Sequence, residues 1–140
     1  MEQILRRYNP WWDRLYESTG MPREDYLSRM RYSWDTRDVL FLVGVRRVGK
    51  TTMMHQYIHG LLSEEPPERV LYFSMDHPVL ANTSILDILD TYRSIHGLSH
   101  ADEFSAFIDE VHVHPGFERE LKVVYDMGGV KVCASGSASI

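Results

Sequence analysis

The sequence holds a single cysteine, Cys133, among 140 residues. That excludes an intramolecular disulfide framework and any zinc site built on a Cys-x-x-Cys pair. Long apolar runs are missing too. The longest is Val39-Leu40-Phe41-Leu42-Val43, far short of the ~20 residues of a membrane span, so no membrane partner is expected. Met1 to Arg7 carries no apolar core followed by a small-residue cleavage site, which argues against a secretory signal and for a cytoplasmic setting. Positive charge is not in surplus. Fifteen Lys and Arg stand against twenty Asp and Glu, a net charge of −5, which argues against coating nucleic acid by bulk charge. No internal repeat or low-complexity tract is present.

What remains is ordinary for a globular protein: 44% hydrophobic and 25% charged residues, with length for one domain. The charge is uneven. Residues 1–60 hold ten Lys/Arg and seven Asp/Glu, a balance of +3, and residues 61–140 hold five and thirteen, a balance of −8. A solvated acidic face accounts for that asymmetry.

Residues 1–37 are rich in aromatics and arginine, and form an N-terminal helical and aromatic segment ahead of a core at 38–140. Trp11, Trp12, Leu15 and Tyr16 fall at helical spacing. A second helix is expected from Pro22, with Glu24 and Asp25 in its first turn, where acids suit the helix dipole. Residues 38–43 read as a buried strand, 50–62 as a helix, 69–74 as a second strand and 84–95 as an amphipathic helix capped by Thr83 or Ser84. A strand at 104–109, a helix at 115–126 and a strand at 130–134 follow. Strands alternating with helices imply right-handed crossovers and a mainly parallel sheet, an α/β fold with helices on both faces. Ligands of such sheets bind at the carboxyl ends of the strands, which directs attention to the residues just after 43, 74, 109 and 134.

The first of these ends carries Gly44-Val45-Arg46-Arg47-Val48-Gly49-Lys50-Thr51, a match to G-x-x-x-x-G-K-[ST]. Gly44 and Gly49 let the backbone curl so that successive N–H groups face one anion. The helix starting near Lys50 adds the positive end of its dipole. Lys50 can reach β- and γ-phosphates, and Thr51 can offer its hydroxyl to Mg²⁺. Such a match arises by chance in on the order of one chain in a few hundred, and here a strand precedes it and a helix follows. The second element is Phe104-Ser105-Ala106-Phe107-Ile108-Asp109-Glu110, an apolar strand ending in two acids. Beside the first strand, Asp109 would stand near the Mg²⁺ site, and Glu110 could orient and deprotonate an attacking water; taken alone, the acid pair reads equally as a surface turn. The third is Ser135-Gly136-Ser137. It is either a polar turn at a strand end or a small hydroxyl in reach of the γ-phosphate.

Together, Gly44 to Thr52, Phe107-Ile108-Asp109-Glu110-Val111 and Ser135-Gly136-Ser137 resemble the archaeal and bacterial AAA+-like P-loop ATPases marked by a G-x-R-x-V-G-K-T-T signature. Asn9-Pro10-Trp11-Trp12 resembles the start of such proteins, Arg69 to Asp76 their second strand with its trailing acid, and Pro115 to Asp126 the helix after their Walker B strand. The resemblance implies a three-layer P-loop NTPase fold with strand order 5-1-4-3-2. It implies that Gly44, Val45, Arg46, Arg47, Val48, Gly49, Lys50, Thr51 and Thr52 form Walker A and hold ATP. It further implies that Asp109 and Glu110 form Walker B, that Thr51 and Asp109 hold Mg²⁺, and that Ser135 or Ser137 is the sensor-1 group. Many members carry proline where this chain has Val45. Family members also continue past the sensor-1 turn with a fifth strand, a helical lid and often a C-terminal domain. The sequence to Ile140 is therefore expected to be the N-terminal part of a longer ATPase or a split-gene product. The strand at 38–43 is expected at an edge of the sheet.

Plainer readings stand beside several residues. Arg46 and Arg47 could touch phosphate, a partner subunit or DNA, or simply face solvent. Trp11, Trp12 and Trp34 could stack on adenine or pack the N-terminal segment onto the core. His112 and His114 could hold a metal, but no third ligand is evident. Asp76 is a turn acid or a neighbour of the nucleotide. Cys133 reads as a small buried hydrophobe. Asn82-Thr83-Ser84 matches a glycosylation sequon, which a cytoplasmic protein would not use. The expected function is Mg-dependent ATP binding and hydrolysis, with ATP favoured over GTP because no N/T-K-x-D run appears. The alternative is a non-hydrolysing ATP-binding module that regulates a partner. A homo-oligomer, a C-terminal domain acting in trans and DNA are the candidate partners, DNA by family analogy alone.

Overall fold

The computed structural model of the chain describes residues 1–16, 24–36, 39–44 and 49–137. Four strands form one parallel sheet: β1 (Val39–Gly44), β2 (Val70–Ser74), β3 (Phe104–Asp109) and β4 (Val130–Ser137), in the spatial order β1-β4-β3-β2. That is the expected 5-1-4-3-2 arrangement over the strands described. The register sets Val39 opposite Val132 and Gly44 opposite Ser137, and Ser74 opposite Asp109. β2 and β3 are buried along their whole length, as strands covered on both faces must be.

Helices cover both faces. Leu71, Phe73, Ala106, Ile108, Val132 and Ala134 point to one side, where α1 (Glu2–Tyr8), α4 (Ile85–His96) and α5 (Phe117–Met127) close a core around Leu5, Ile88 and Leu121. Tyr72, Phe107 and Cys133 point to the other, beneath α2 (Glu24–Thr36) and α3 (Lys50–Leu61), where Met30, Trp34, Met54 and Ile58 pack. Cys133 is fully buried, and burial pushes its thiol well above the ordinary value, so it behaves as the hydrophobe expected of it. The serine cap of α4 is Ser84, whose hydroxyl accepts from the Leu86 N–H at 3.1 Å.

The N-terminal segment departs from expectation. Instead of one helix through Trp11 and Tyr16, α1 ends at Tyr8 and a single 3-10 turn spans Pro10–Trp12. The physical reason is the free edge of β2. In a parallel strand alternate residues turn both N–H and C=O to the same neighbour, and those of Tyr72 face away from β3. The buried side chain of Asn9 answers both: its amide donates to the Tyr72 carbonyl at 2.7 Å, and its carbonyl accepts from the Tyr72 N–H at 2.6 Å. Two residues earlier on the strand, Trp11 and Trp12 both donate their indole N–H groups to the Val70 carbonyl, each at 2.9 Å. An edge that would otherwise template aggregation is thereby occupied. Trp34 lies stacked on Phe107, centroids 5.1 Å apart. All three tryptophans are packed against the protein's own core, the plainer of their two readings. Replacing Asn9 with alanine strands the Tyr72 N–H and two carbonyls and is expected to cost about 3 kcal/mol of stability. The shift of the urea midpoint measures it, and a loss below about 0.5 kcal/mol would show that water substitutes for the amide.

Two further boundaries are corrected. The Ser135-Gly136-Ser137 stretch is the end of β4 rather than a turn, because β1 runs on to Gly44 and supplies partners for Ser135 and Gly136 at Leu42 and Val43. The helix expected at 115–126 begins at Phe117, after Gly116 at φ +79°. Pro22 lies outside the described residues. Among the described residues no helix is long and apolar enough to cross a membrane.

Candidate functional site

The carboxyl ends of β1, β3 and β4 converge on the start of α3. Gly49 precedes that helix in the left-handed region, φ 70° and ψ 45°, where a side chain would be strained. Among the described residues no side chain caps the helix, and its start lies where β3 and β4 end, as the Lys50 and Thr51 bonds show. Lys50 opens the helix and is 7% exposed; its ammonium donates to the carbonyl of Gly136 in β4. Thr51, one residue on, donates its hydroxyl to Asp109 Oδ2 at 2.7 Å across 58 residues of sequence. Thr52 is exposed at the same end of α3.

Asp109 ends β3 and is 2% exposed. Four donors reach its carboxylate among the described residues. Oδ2 accepts from Thr51 and from the Tyr72 hydroxyl at 2.8 Å. Oδ1 accepts from the Ser135 hydroxyl and from the Glu110 N–H at 3.2 Å. Burial raises the Tyr72 phenol far above its ordinary value, and the nearby Asp109 charge raises it further, so the phenol keeps its proton and donates. Burial lowers the neighbouring His55 imidazole, which the Asp109 charge opposes.

Glu110 adopts φ 53° and ψ 41°, the one non-glycine residue at positive φ among the described residues. That conformation costs about 1 kcal/mol. It is held by the Glu110 N–H, which also lies 3.0 Å from Ser135 Oγ. The bend throws the Glu110 side chain out of the strand direction, part-exposed, with its carboxylate 3.5 Å from His112 Nε2. His114 takes no part in the site. It bonds the Glu120 carboxylate at the foot of α4, where Ser84 also donates to Glu120 at 2.6 Å. Among the described residues no group of three His, Cys, Asp or Glu could hold a metal, so the histidine metal pair finds no third ligand there. Asp76 accepts from Ser74 at 2.5 Å, as a turn acid does.

Of the residues picked out by sequence, the fold brings together Gly44, Gly49, Lys50, Thr51, Thr52, Asp109, Glu110 and Ser135. Val45, Arg46, Arg47 and Val48 lie outside the described residues. Ser137 pairs with Gly44 at the end of β4, with its side chain likewise outside the description. Sequence reasoning missed Tyr72, which lies inside an apolar strand with no spacing signal to mark its hydroxyl. It also missed His112 as the neighbour of Glu110. The oxygen donors Thr51 and Asp109 form a hard set, the kind that suits Mg²⁺ completed by phosphates and water.

Residues 36–140 match the model of the AAA domain family. An uncharacterised protein of Methanocaldococcus jannaschii is 30% identical over 139 residues, a stretch that is 98% of this chain and 28% of that protein. The chain thus spans a little over a quarter of the length of this curated relative. Among solved structures, PCH-2 of C. elegans is similar at a TM-score of 0.49 and 10% identity, over 96% of this chain and 42% of that one.

Proposed function

Because the chain belongs to the AAA domain family, we propose that it binds Mg·ATP at the start of α3 and hydrolyses it to ADP and phosphate. Nucleotide-binding, ATPase-like character comes with that membership; the metal, the hydrolysis and the role of each residue are the reading put forward here. The observation that carries it is the 2.7 Å bond from Thr51 to Asp109, which joins the glycine-lysine segment to the acid pair at the start of α3.

Phosphoryl transfer asks a protein chiefly for position and charge. Lys50 exchanges its Gly136 carbonyl for phosphate oxygens, and the α3 N–H groups bind the same anion. Thr51 spends its proton on Asp109, which leaves its oxygen lone pairs for Mg²⁺. When bound, Mg²⁺ neutralises charge that develops on the phosphoryl oxygens. Glu110 orients a water and takes its proton as that oxygen bonds to the γ-phosphorus and the bond to the β-phosphate oxygen breaks. The strained backbone of Glu110 supports this role, since such outliers cluster where a side chain must be aimed.

The test is calorimetric titration of the 140-residue chain with Mg·ATP, followed by measured phosphate release. Saturable heat is the expected result. Binding with no turnover would replace the enzyme by the non-hydrolysing module. A folded chain that gives no heat would overturn the reading for this chain.

A further inference from the structure

Tyr72 has no place in the phosphate chemistry just outlined, yet its hydroxyl is one of four donors on the Asp109 carboxylate. We infer that Tyr72 is a positioning residue for the metal half of the site, acting through Asp109. This rests on the nucleotide reading above and deepens it.

Acceptor geometry carries the inference. An ionised carboxylate offers about four lone-pair sites, two on each oxygen. On Asp109 three hydroxyls take three of these, Thr51 and Tyr72 on Oδ2 and Ser135 on Oδ1. The Glu110 N–H is shared between Oδ1 at 3.2 Å and Ser135 Oγ at 3.0 Å, so the fourth site, on Oδ1, is the one left for Mg²⁺ or its water. A carboxylate so held has one orientation. With Tyr72 in place, the remaining site on Oδ2 is the one that receives the Thr51 proton. Thr51 is thereby held in the conformation that donates to Asp109, with its lone pairs left for a cation. Without the phenol, Oδ2 keeps an empty buried acceptor, and the carboxylate and Thr51 lose that fixed relation.

Tyr72 itself is held on every side, as a positioning group must be. Asn9 grips its backbone at both polar atoms. The Tyr8 ring meets it edge-on at 5.5 Å, and the His55 ring of α3 lies 4.4 Å away. His55 in turn is bonded to the Tyr16 hydroxyl at 2.9 Å. The residue is 4% exposed, so substrate does not reach it, and its influence passes through Asp109. Outer-shell donors of this kind typically govern metal affinity by about ten- to a hundredfold.

Tyr72→Phe keeps the ring and its packing and removes one oxygen. ATP binding is titrated in wild type and variant, once in EDTA and once across a Mg²⁺ series, with melting temperatures recorded beside them. The expected result is a Mg²⁺ half-saturation raised about tenfold or more, while binding in EDTA changes less than about threefold. An equal loss in both arms would mean that Tyr72 is merely structural and would overturn the inference. So would an unchanged Mg²⁺ half-saturation. In an Asp109→Asn background Tyr72→Phe is expected to add nothing, and a further tenfold loss there would show that Tyr72 does not act through Asp109. If the wild type binds no ATP in either arm, the nucleotide reading falls first and takes this one with it, a pattern distinct from a variant that matches a binding wild type.

Discussion

Lys50→Ala is expected to abolish saturable binding of Mg·ATP while leaving a folded protein. The ammonium of Lys50 is buried at the meeting of α3 and β4, with 7% of the residue exposed. A charge in so dry a position interacts strongly with an incoming phosphate, and truncating one partner of a buried charge pair costs about 2–5 kcal/mol. At 3 kcal/mol the dissociation constant rises more than about a hundredfold, beyond an ordinary calorimetric titration. The same substitution deprives the Gly136 carbonyl of its donor, which costs about 1–2 kcal/mol of stability. A modest fall in melting temperature with a total loss of binding heat is therefore the expected pair of observations. A variant that bound Mg·ATP at the parental affinity would remove Lys50 from the site.

Glu110→Gln is expected to separate binding from chemistry. The amide matches the carboxylate in size and can hold the same strained backbone, so ATP affinity should stay within about threefold. It cannot take a proton from water, and removal of a general base typically costs about 10²–10⁴ in rate. Phosphate release should therefore fall by at least a hundredfold. Turnover at the parental rate would show that Glu110 is not the base. His112, 3.5 Å from this carboxylate, would then be the next residue to replace.

The parts of this protein legible in the sequence are those whose cause is local. β2 and β3 could be placed within a residue because strands buried on both faces read as unbroken apolar runs. Gly49, Lys50 and Thr51 could be found because helix terminus, glycine and lysine occupy consecutive positions, and Asp109 because it ends an apolar strand. What escaped is what depends on distant neighbours. Trp11, Trp12, Leu15 and Tyr16 fit a helical stripe, yet both indoles turn to the Val70 carbonyl and Leu15 is 98% exposed. That contact spans nearly sixty residues, and no local period encodes it. Tyr72 was invisible as a site residue for the same reason. Its ring obeys the strand pattern, and only the folded sheet shows its hydroxyl on Asp109. The length of β4 was misjudged because Ser135-Gly136-Ser137 resembles a turn until β1 is laid beside it.

The clasp of Asn9, Trp11 and Trp12 on β2 also sets a temporal order. The strand that receives these side chains is made about sixty residues after them, and β3, which holds that strand in place, later still. Contacts of such long sequence separation are closed late, because loop entropy must be overcome before they return anything. Side chains made well before their partner strand are thus among the late ones to be seated. Until β2 is made, the indoles of Trp11 and Trp12 have no Val70 carbonyl to meet.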